Sequence, residues 1–153
     1  MGDRVKVRVP ATSANLGPGF DCLALAFDLW NETELELTGT GIRVEVSGEG
    51  EGRLPEDEHN QIARLAMRLY EALGQPKPSG LLIRCENHIP PGAGLGSSAA
   101  AALTGLLGAN GLLGNLASPE LILKLAVEAE GHPDNAAAAL YGGLVISTLT
   151  QEG

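Results

Sequence analysis

The segment that most constrains the fold is the glycine-rich stretch 90–101, with the sequence PPGAGLGSSAAA. An apolar run at 81–86 predicts a strand before it, and the alanine-rich stretch 97–113 predicts a helix after it. Glycines in such a turn let the backbone approach a ligand closely, because they carry no Cβ. A helix that begins there presents unpaired N–H groups and the positive end of its dipole, which suit a phosphate chain. Two serines at the helix start add hydroxyls for a phosphate oxygen or a Mg²⁺ ion.

Two commoner phosphate-binding motifs do not fit this turn. A Walker A loop requires Gly-Lys-Ser/Thr, and the chain has no lysine between Lys77 and Lys124. A dinucleotide-binding fingerprint requires G-x-G-x-x-G, whereas the third glycine, Gly96, comes one residue early and no acidic residue follows before Glu120. Taken alone, the segment is equally consistent with a tight strand-to-helix turn that binds nothing.

Length and composition exclude several classes of protein. The 153 residues suit one domain, or one domain and part of another. An apolar content of 44% excludes a disordered acidic tail, and an aromatic content of 3% predicts an aliphatic core. The net charge of −9 argues against a nucleic-acid partner, although backbone N–H groups can bind phosphate without lysine.

Location and redox state follow from three further features. Cys22 and Cys85 form no close pair, which favours reduced, buried thiols over a disulfide or a zinc site. The first ten residues contain no apolar signal segment, so a reducing cytoplasm is the expected compartment. The uncharged stretch 95–114 has bilayer length, but its polar residues and its many alanines and glycines predict a buried helix rather than a membrane span.

Hydrophobic periodicity predicts a mostly antiparallel or mixed sheet accompanied by helices. Apolar residues alternate with charged ones at 5–9, 34–37 and 42–46, and apolar runs lie at 20–29, 81–86 and 144–149. A loop is predicted at 10–19, where glycine, proline, serine and asparagine are concentrated. Helices are predicted at 60–73, 97–113, 119–130 and 135–140. Glycines 105, 108 and 111 of the second helix are interpreted as points of close helix packing.

Three segments together resemble a known family. The stretch 90–101 resembles the P-x-x-x-G-L-G-S-S-A-A motif of the GHMP kinases, the superfamily of galactokinase, homoserine kinase and mevalonate kinase. Residues 10–23, PATSANLGPGFDCL, are similar to the opening motif of homoserine kinases, and residues 130–135, EGHPDN, resemble a later motif of that family. The three motifs occur in the family order, and together the match covers nearly the whole chain.

The resemblance implies a fold and a function. The fold is α+β: a GHMP-kinase N-terminal domain in which a mixed sheet is covered by helices, a two-layer βαβ arrangement like that of some ribosomal proteins. Residues 1–153 would form this ATP-binding domain, and the C-terminal GHMP domain is absent from the chain. The implied reaction is ATP-dependent phosphorylation of the side-chain hydroxyl of L-homoserine to O-phospho-L-homoserine, in threonine biosynthesis. A homodimer in the cytoplasm, without nucleic-acid or membrane partners, is also implied.

Two other functions remain open from the sequence. The chain could belong to another small-molecule GHMP kinase, of the mevalonate type. Without the missing half, it could instead be a non-catalytic binding domain. Family members are considerably longer, so the isolated domain is expected to bind nucleotide poorly and to turn over nothing.

The resemblance also assigns the nucleotide and metal residues. Ser98 and Glu130 are expected to hold Mg²⁺, with Glu128 as the alternative carboxylate. Asn60 matches a position beside the adenine, and it is equally suited to capping the helix that follows. The residues expected to bind ATP are Asn60, Pro90, Pro91, Gly92, Ala93, Gly94, Leu95, Gly96, Ser97, Ser98, Ala99 and Ala100.

Substrate and catalytic residues are assigned in the same way. Asn15, Asp21 and His132 match positions that hold the amino acid, and a carboxylate such as Asp21 can bind an ammonium or a hydroxyl group. Asp21 and Asp134 are the expected catalytic residues, although Asp134 could be a general base or only the N-cap of the helix after it. Asn15 could instead form a local Asx turn, and His132 could satisfy carbonyls at a helix end.

Overall fold

The computed structural model describes residues 2–148 and contains nine elements. In chain order they are β1 (Arg4–Leu16), β2 (Gly19–Thr38), β3 (Gly41–Gly48), α1 (Gln61–Ala72), β4 (Gly80–Asn87), α2 (Ser97–Leu112), α3 (Pro119–Glu130), α4 (Asp134–Tyr141) and β5 (Leu144–Ile146).

The strands form one mixed sheet in the order β1-β2-β4-β3. β2 pairs antiparallel with β1 and β4, whereas β3 pairs parallel with β4. β5 pairs with the first half of β2, beyond the part that β4 occupies. The expected α+β architecture with a mixed sheet is therefore confirmed.

The predicted loop at 10–19 is wrong, because β1 continues through most of it to Leu16. Thr12 is fully buried and pairs with Ala26, and Ala14 pairs with Ala24. Irregularities after Pro10 and Ala14 shift the register, which lets a segment rich in turn-forming residues stay in the ladder. Pairing along the long strand β2 thus overrides the local preference for a loop.

The last predicted strand, at 144–149, is shorter than expected. β5 ends at Ile146, and Leu149 lies outside the described residues.

α2 is the central helix and packs against both the sheet and α1. It is buried on nearly every side, and its glycines lie at the contacts. A Cβ at Gly105 would overlap the carbonyl oxygen of Ile62 in α1, and one at Gly111 would lie 2.7 Å from Val5 Cγ2. The interpretation of these glycines as points of close packing is confirmed.

The core lies between the sheet and the helices and is almost entirely aliphatic. α1 contributes Ile62, Leu65 and Leu69, and the sheet contributes residues such as Leu35 and Ile83. The uncharged stretch of α2 is buried in this core, as the sequence predicts. Within residues 2–148, no helix combines the length and the apolar character that crossing a bilayer requires.

Candidate active site

The glycine-rich turn connects β4 to α2, and β1 holds its end in place. Gly92, Gly94 and Gly96 all have positive φ, at 77°, 74° and 68°. The backbone N–H of Thr12 donates to the carbonyl of Leu95 at 3.0 Å. A Cβ at Gly96 would overlap Thr12 Oγ1, so glycine is required there both by the backbone conformation and by the close approach of β1.

A cavity of about 350 Å³ lies between this turn, the start of α1, the middle of β2 at Asn31 and Thr33, and the end of β4 at Cys85 and Asn87. That volume lies within the range of small-ligand pockets. Of the residues expected to bind ATP, Asn60, Pro91, Gly92, Ser97 and Ser98 line it. The others lie nearby: Pro90, Ala93, Gly94, Leu95 and Gly96 complete the turn, and Ala99 and Ala100 are buried in the first turn of α2.

Asn60 is the N-cap of α1. Its Oδ1 accepts from the backbone N–H of Ile62 at 2.9 Å, and its Nδ2 donates to the carbonyl of Pro55 at 2.7 Å. The capping role is confirmed, and its side chain is held against the wall of the cavity.

Ser98 and Glu130 come together at the start of α2. Ser98 Oγ donates to Glu130 Oε1 at 2.8 Å, and Gln61 Nε2 donates to the same oxygen at 2.9 Å. Glu128 instead forms an exposed ion pair with Arg68 at 3.5 Å. Of the two candidate carboxylates, Glu130 is therefore the one beside the glycine-rich turn.

The Ser98–Glu130 pair fits a magnesium ion. Mg²⁺ prefers oxygen donors at 2.0–2.1 Å in an octahedron, so adjacent donor atoms lie about 3 Å apart. The hydroxyl and carboxylate oxygens are 2.8 Å apart, which is the length of an ordinary hydrogen bond and is also compatible with two adjacent ligands of one ion. The hydrogen-bond partners of the Glu130 carboxylate within residues 2–148 are Ser98 and Gln61, both neutral, so a cation would compensate its charge.

The segment 130–135 brings a second set of polar groups to the same end of the fold. His132 Nδ1 lies 2.8 Å from Asp134 Oδ1, and that oxygen also accepts from the backbone N–H of Asn135 at 2.7 Å. Asp134 is fully buried, and its Oδ2 has no hydrogen-bond partner within the described part of the chain. Asn135 Oδ1 accepts from Thr12 Oγ1 at 2.8 Å, which ties this segment to β1.

Two of the alternatives for this segment are wrong. Pro133 occupies the N-cap of α4, so Asp134 is the first residue of the helix and not its cap. The ring nitrogen of His132 contacts the carboxylate of Asp134 rather than a helix-end carbonyl.

Asn15 and Asp21 flank the turn between β1 and β2, and both are exposed. Their φ angles are 59° and 54°, a left-handed conformation that asparagine and aspartate tolerate better than most residues. Asn15 Oδ1 accepts from the backbone N–H of Asp21 at 2.8 Å. Asn15 therefore has a local structural role and holds Asp21 in place, although this bond reaches six positions ahead and not the two positions of the Asx turn that was the alternative.

Sequence reasoning missed three residues of this region. Thr12 and Asn135 lie inside the motifs that carried the resemblance, but their mutual contact spans 123 positions. Gln61 follows Asn60 directly, and nothing in the local sequence pattern distinguishes it from an ordinary first residue of a helix.

Cys85 lines the cavity, and burial raises the pKa of its thiol to about 11. We expect Cys85 to resist a thiol reagent at pH 8 in the folded chain and to react after unfolding, while half-buried Cys22 reacts in both states. Since the native thiol keeps its proton to higher pH than the unfolded one, this group's contribution to stability falls between about pH 9 and pH 11. Rapid labelling of native Cys85, followed by mass spectrometry, would contradict the burial of this cavity wall.

The strand, the glycine-rich turn and the buried helix belong to an α+β domain that superposes on solved kinase structures. Residues 60–143 match the family model described as GHMP kinases N terminal domain, and the chain belongs to this family.

Several similar proteins are named as homoserine kinases. The chain is 47% identical over 155 residues to a homoserine kinase of Clavibacter michiganensis, covering 99% of this chain and 49% of that protein. It is 42% identical to one of Desulfitobacterium hafniense, covering 96% of this chain and 49% of that protein. A crystal structure of homoserine kinase from Cytophaga hutchinsonii superposes with a TM-score of 0.83 at 39% identity, covering 95% of this chain and 49% of that one. The chain therefore spans about half the length of the relatives it matches.

Proposed function

We propose that this chain is the N-terminal, ATP-binding part of a homoserine kinase. That enzyme transfers the γ-phosphate of ATP to the side-chain hydroxyl of L-homoserine, a step of threonine biosynthesis. The observation that carries the proposal is the Ser98–Glu130 pair, set at the start of α2 between the glycine-rich turn and a cavity of nucleoside size. The identity to proteins named homoserine kinase favours this substrate over mevalonate.

ATP binding would use three parts of the site. The adenosine would occupy the cavity, and the backbone N–H groups of residues 92–98 would hold the phosphates at the positive end of the α2 dipole. Ser98 and Glu130 would hold Mg²⁺, which neutralises charge on the phosphates when it is bound. The turn would need no lysine, because the backbone and these two side chains would supply the contacts.

The amino acid would bind between the turn that joins β1 to β2 and the start of α4, which the Thr12–Asn135 hydrogen bond ties to β1. Exposed Asp21, fixed by Asn15, would pair with the substrate ammonium. Asp134 has no exposed oxygen, so it would act through His132 by holding Nδ1 and directing Nε2 outward. Phosphoryl transfer depends mostly on positioning and charge neutralisation, which these groups would provide around the reacting hydroxyl.

The domain limits, the dimer and the location are also part of this proposal. Residues 1–153 would form one domain, completed by a C-terminal GHMP domain of about the same length in the full enzyme. The homodimer stays a prediction from the resemblance, and the cytoplasmic location stays a prediction from the first residues and the cysteines. A coupled ADP-release assay with homoserine, mevalonate and galactose, run with this chain joined to the second half of a homoserine kinase, would test the substrate.

Ser98→Ala is expected to weaken binding of Mg²⁺ with a non-hydrolysable ATP analogue. A charge-assisted contact is worth about 1.5–3 kcal/mol, or roughly 10- to 150-fold in Kd. Calorimetric titration would measure the change, with Glu128→Gln as the control, since Glu128 pairs with Arg68 away from the turn. An affinity that is unchanged in Ser98→Ala would argue against the proposed site. A wild-type chain that shows no magnesium-dependent nucleotide binding even when joined to the second half of a homoserine kinase would favour the non-catalytic alternative.

A further inference from the structure

Gln61 is the third polar side chain at the Ser98–Glu130 pair. It is the first residue of α1, and it reaches across to groups 37 and 69 positions later in the chain. Its Nε2 donates to Glu130 Oε1 at 2.9 Å and to Ser98 Oγ at 3.2 Å. Nothing in the sequence pattern assigns Gln61 a function, yet it contacts both of the oxygens that would hold the metal.

The other atom of the same amide also faces this cluster. Gln61 Oε1 lies 3.4 Å from Ser98 Oγ, so the two amide atoms lie at nearly equal distances from the serine oxygen. Amide carbonyl oxygens are among the ligands that hard divalent cations accept. A half turn of the amide about its terminal bond would exchange the N–H group for the carbonyl oxygen at the face of the cluster.

The charge of the cluster favours this exchange. Glu130 is the last residue of α3, and the negative end of the helix dipole repels a carboxylate at that position. Its hydrogen-bond partners in the described part of the chain are two neutral groups. A cation there would remove the need for the Gln61 N–H donor and would instead favour a third oxygen.

We propose that Gln61 is a third oxygen donor for the divalent cation, with its amide donating to Glu130 when no ion is bound and turning its carbonyl toward the ion when one is. This inference rests on the proposed function, because it takes the Ser98–Glu130 pair as the cation site. It adds a residue from α1 and thereby connects the cation to the helix that borders the cavity.

Two substitutions of Gln61 test whether its side chain supplies an oxygen to the ion or only a hydrogen bond to Glu130. Gln61→Glu keeps the shape and presents a charged oxygen, whereas Gln61→Met keeps the length and removes both the donor and the acceptor. The probe is Mn²⁺, measured by the paramagnetic resonance signal of the free ion, with the full chain alone and with ADP. We expect Gln61→Glu to bind Mn²⁺ more tightly, and Gln61→Met more weakly, each by about tenfold. Glu128→Gln is the matched control for a nearby change of charge and should remain within twofold of wild type.

The outcomes distinguish this inference from the proposed function. Equal Mn²⁺ affinities in wild type, Gln61→Glu and Gln61→Met would overturn the inference, and so would the absence of Mn²⁺ binding in all three. If Ser98→Ala weakens nucleotide binding while the Gln61 variants behave as wild type, the proposed function stands and the role of Gln61 fails. If Mn²⁺ binding follows Gln61 but no nucleotide binds even when this chain is joined to the second half of a homoserine kinase, the cation site stands and the kinase proposal fails. Thermal melting of each variant verifies that all of them fold.

Discussion

Replacing Gly105 with alanine is expected to lower the free energy of unfolding by about 3 kcal/mol, although alanine is the better helix former by about 1 kcal/mol. The added Cβ would overlap the carbonyl oxygen of Ile62 and lie 3.0 Å from the backbone nitrogen of Ala66. Both are backbone atoms of α1, so relief of the overlap requires the two helices to separate. Urea denaturation followed by circular dichroism would measure the loss.

Gly111→Ala is the matched control within the same helix. Its Cβ would lie 2.7 Å from Val5 Cγ2, which is the end of a half-buried side chain that can turn away. The gain in helix propensity and the small cost of repacking should nearly cancel, so the free energy of unfolding should change by about 1 kcal/mol or less. Equal stabilities of the two variants would show that α1 and α2 do not approach as closely as described.

Because Gln61 directly precedes Ile62, Gly105→Ala should also weaken cation binding.

Replacing Gly96 with alanine is expected to have the largest effect on the proposed nucleotide site. At a φ of 68° a side chain costs about 1–2 kcal/mol, and the Cβ would also overlap Thr12 Oγ1 and lie 3.2 Å from Asn135 Oδ1. The turn must then move away from β1, and the hydrogen bond between Thr12 and Asn135 is lost or distorted. We expect a loss of about 3 kcal/mol in unfolding free energy and no measurable nucleotide binding.

Gly114→Ala separates the backbone strain from the overlap. Gly114 has a φ of 78°, and a Cβ there would meet no heavy atom of residues 2–148 within 4 Å. It follows the other end of α2, so its substitution should cost only about 1 kcal/mol and leave nucleotide binding unchanged. If Gly96→Ala were no more destabilised than Gly114→Ala, the contact between the turn and β1 would be refuted.

Elements with a strong local pattern agree with the sequence-based predictions. α1 begins after its Asn60 cap, and α3 begins after Ser118 and ends at Glu130, with Gly131 as its C-cap. The strand, turn and helix around residues 90–101 follow the predicted order. In each case the periodicity and the capping residues act within a few positions, so they are visible in the sequence itself.

The elements that differ from the sequence-based predictions depend on strands that lie elsewhere in the chain. Residues 10–16 have the composition of a loop, and they form a strand because β2 lies beside them. β2 likewise runs unbroken from Gly19 to Thr38, across the gap between two predicted runs, because β1 pairs along it, and β5 ends at Ile146, which pairs with Leu23. Pairing energy of this kind comes from cross-strand neighbours, so a single-sequence pattern does not contain it.

For the candidate site, the sequence by itself determined the kinds of groups present: a lysine-free glycine turn, two serines at a helix start, and the carboxylates and histidine of 128–134. Only the tertiary structure decided which of them meet. It placed Glu130 rather than Glu128 beside Ser98, buried Asp134 behind His132, and brought Gln61 to the carboxylate from 69 positions away. The physical reason is that residue types and spacing set local conformation and chemistry, whereas hydrogen-bond partners across three different elements are set by how the helices pack on the sheet.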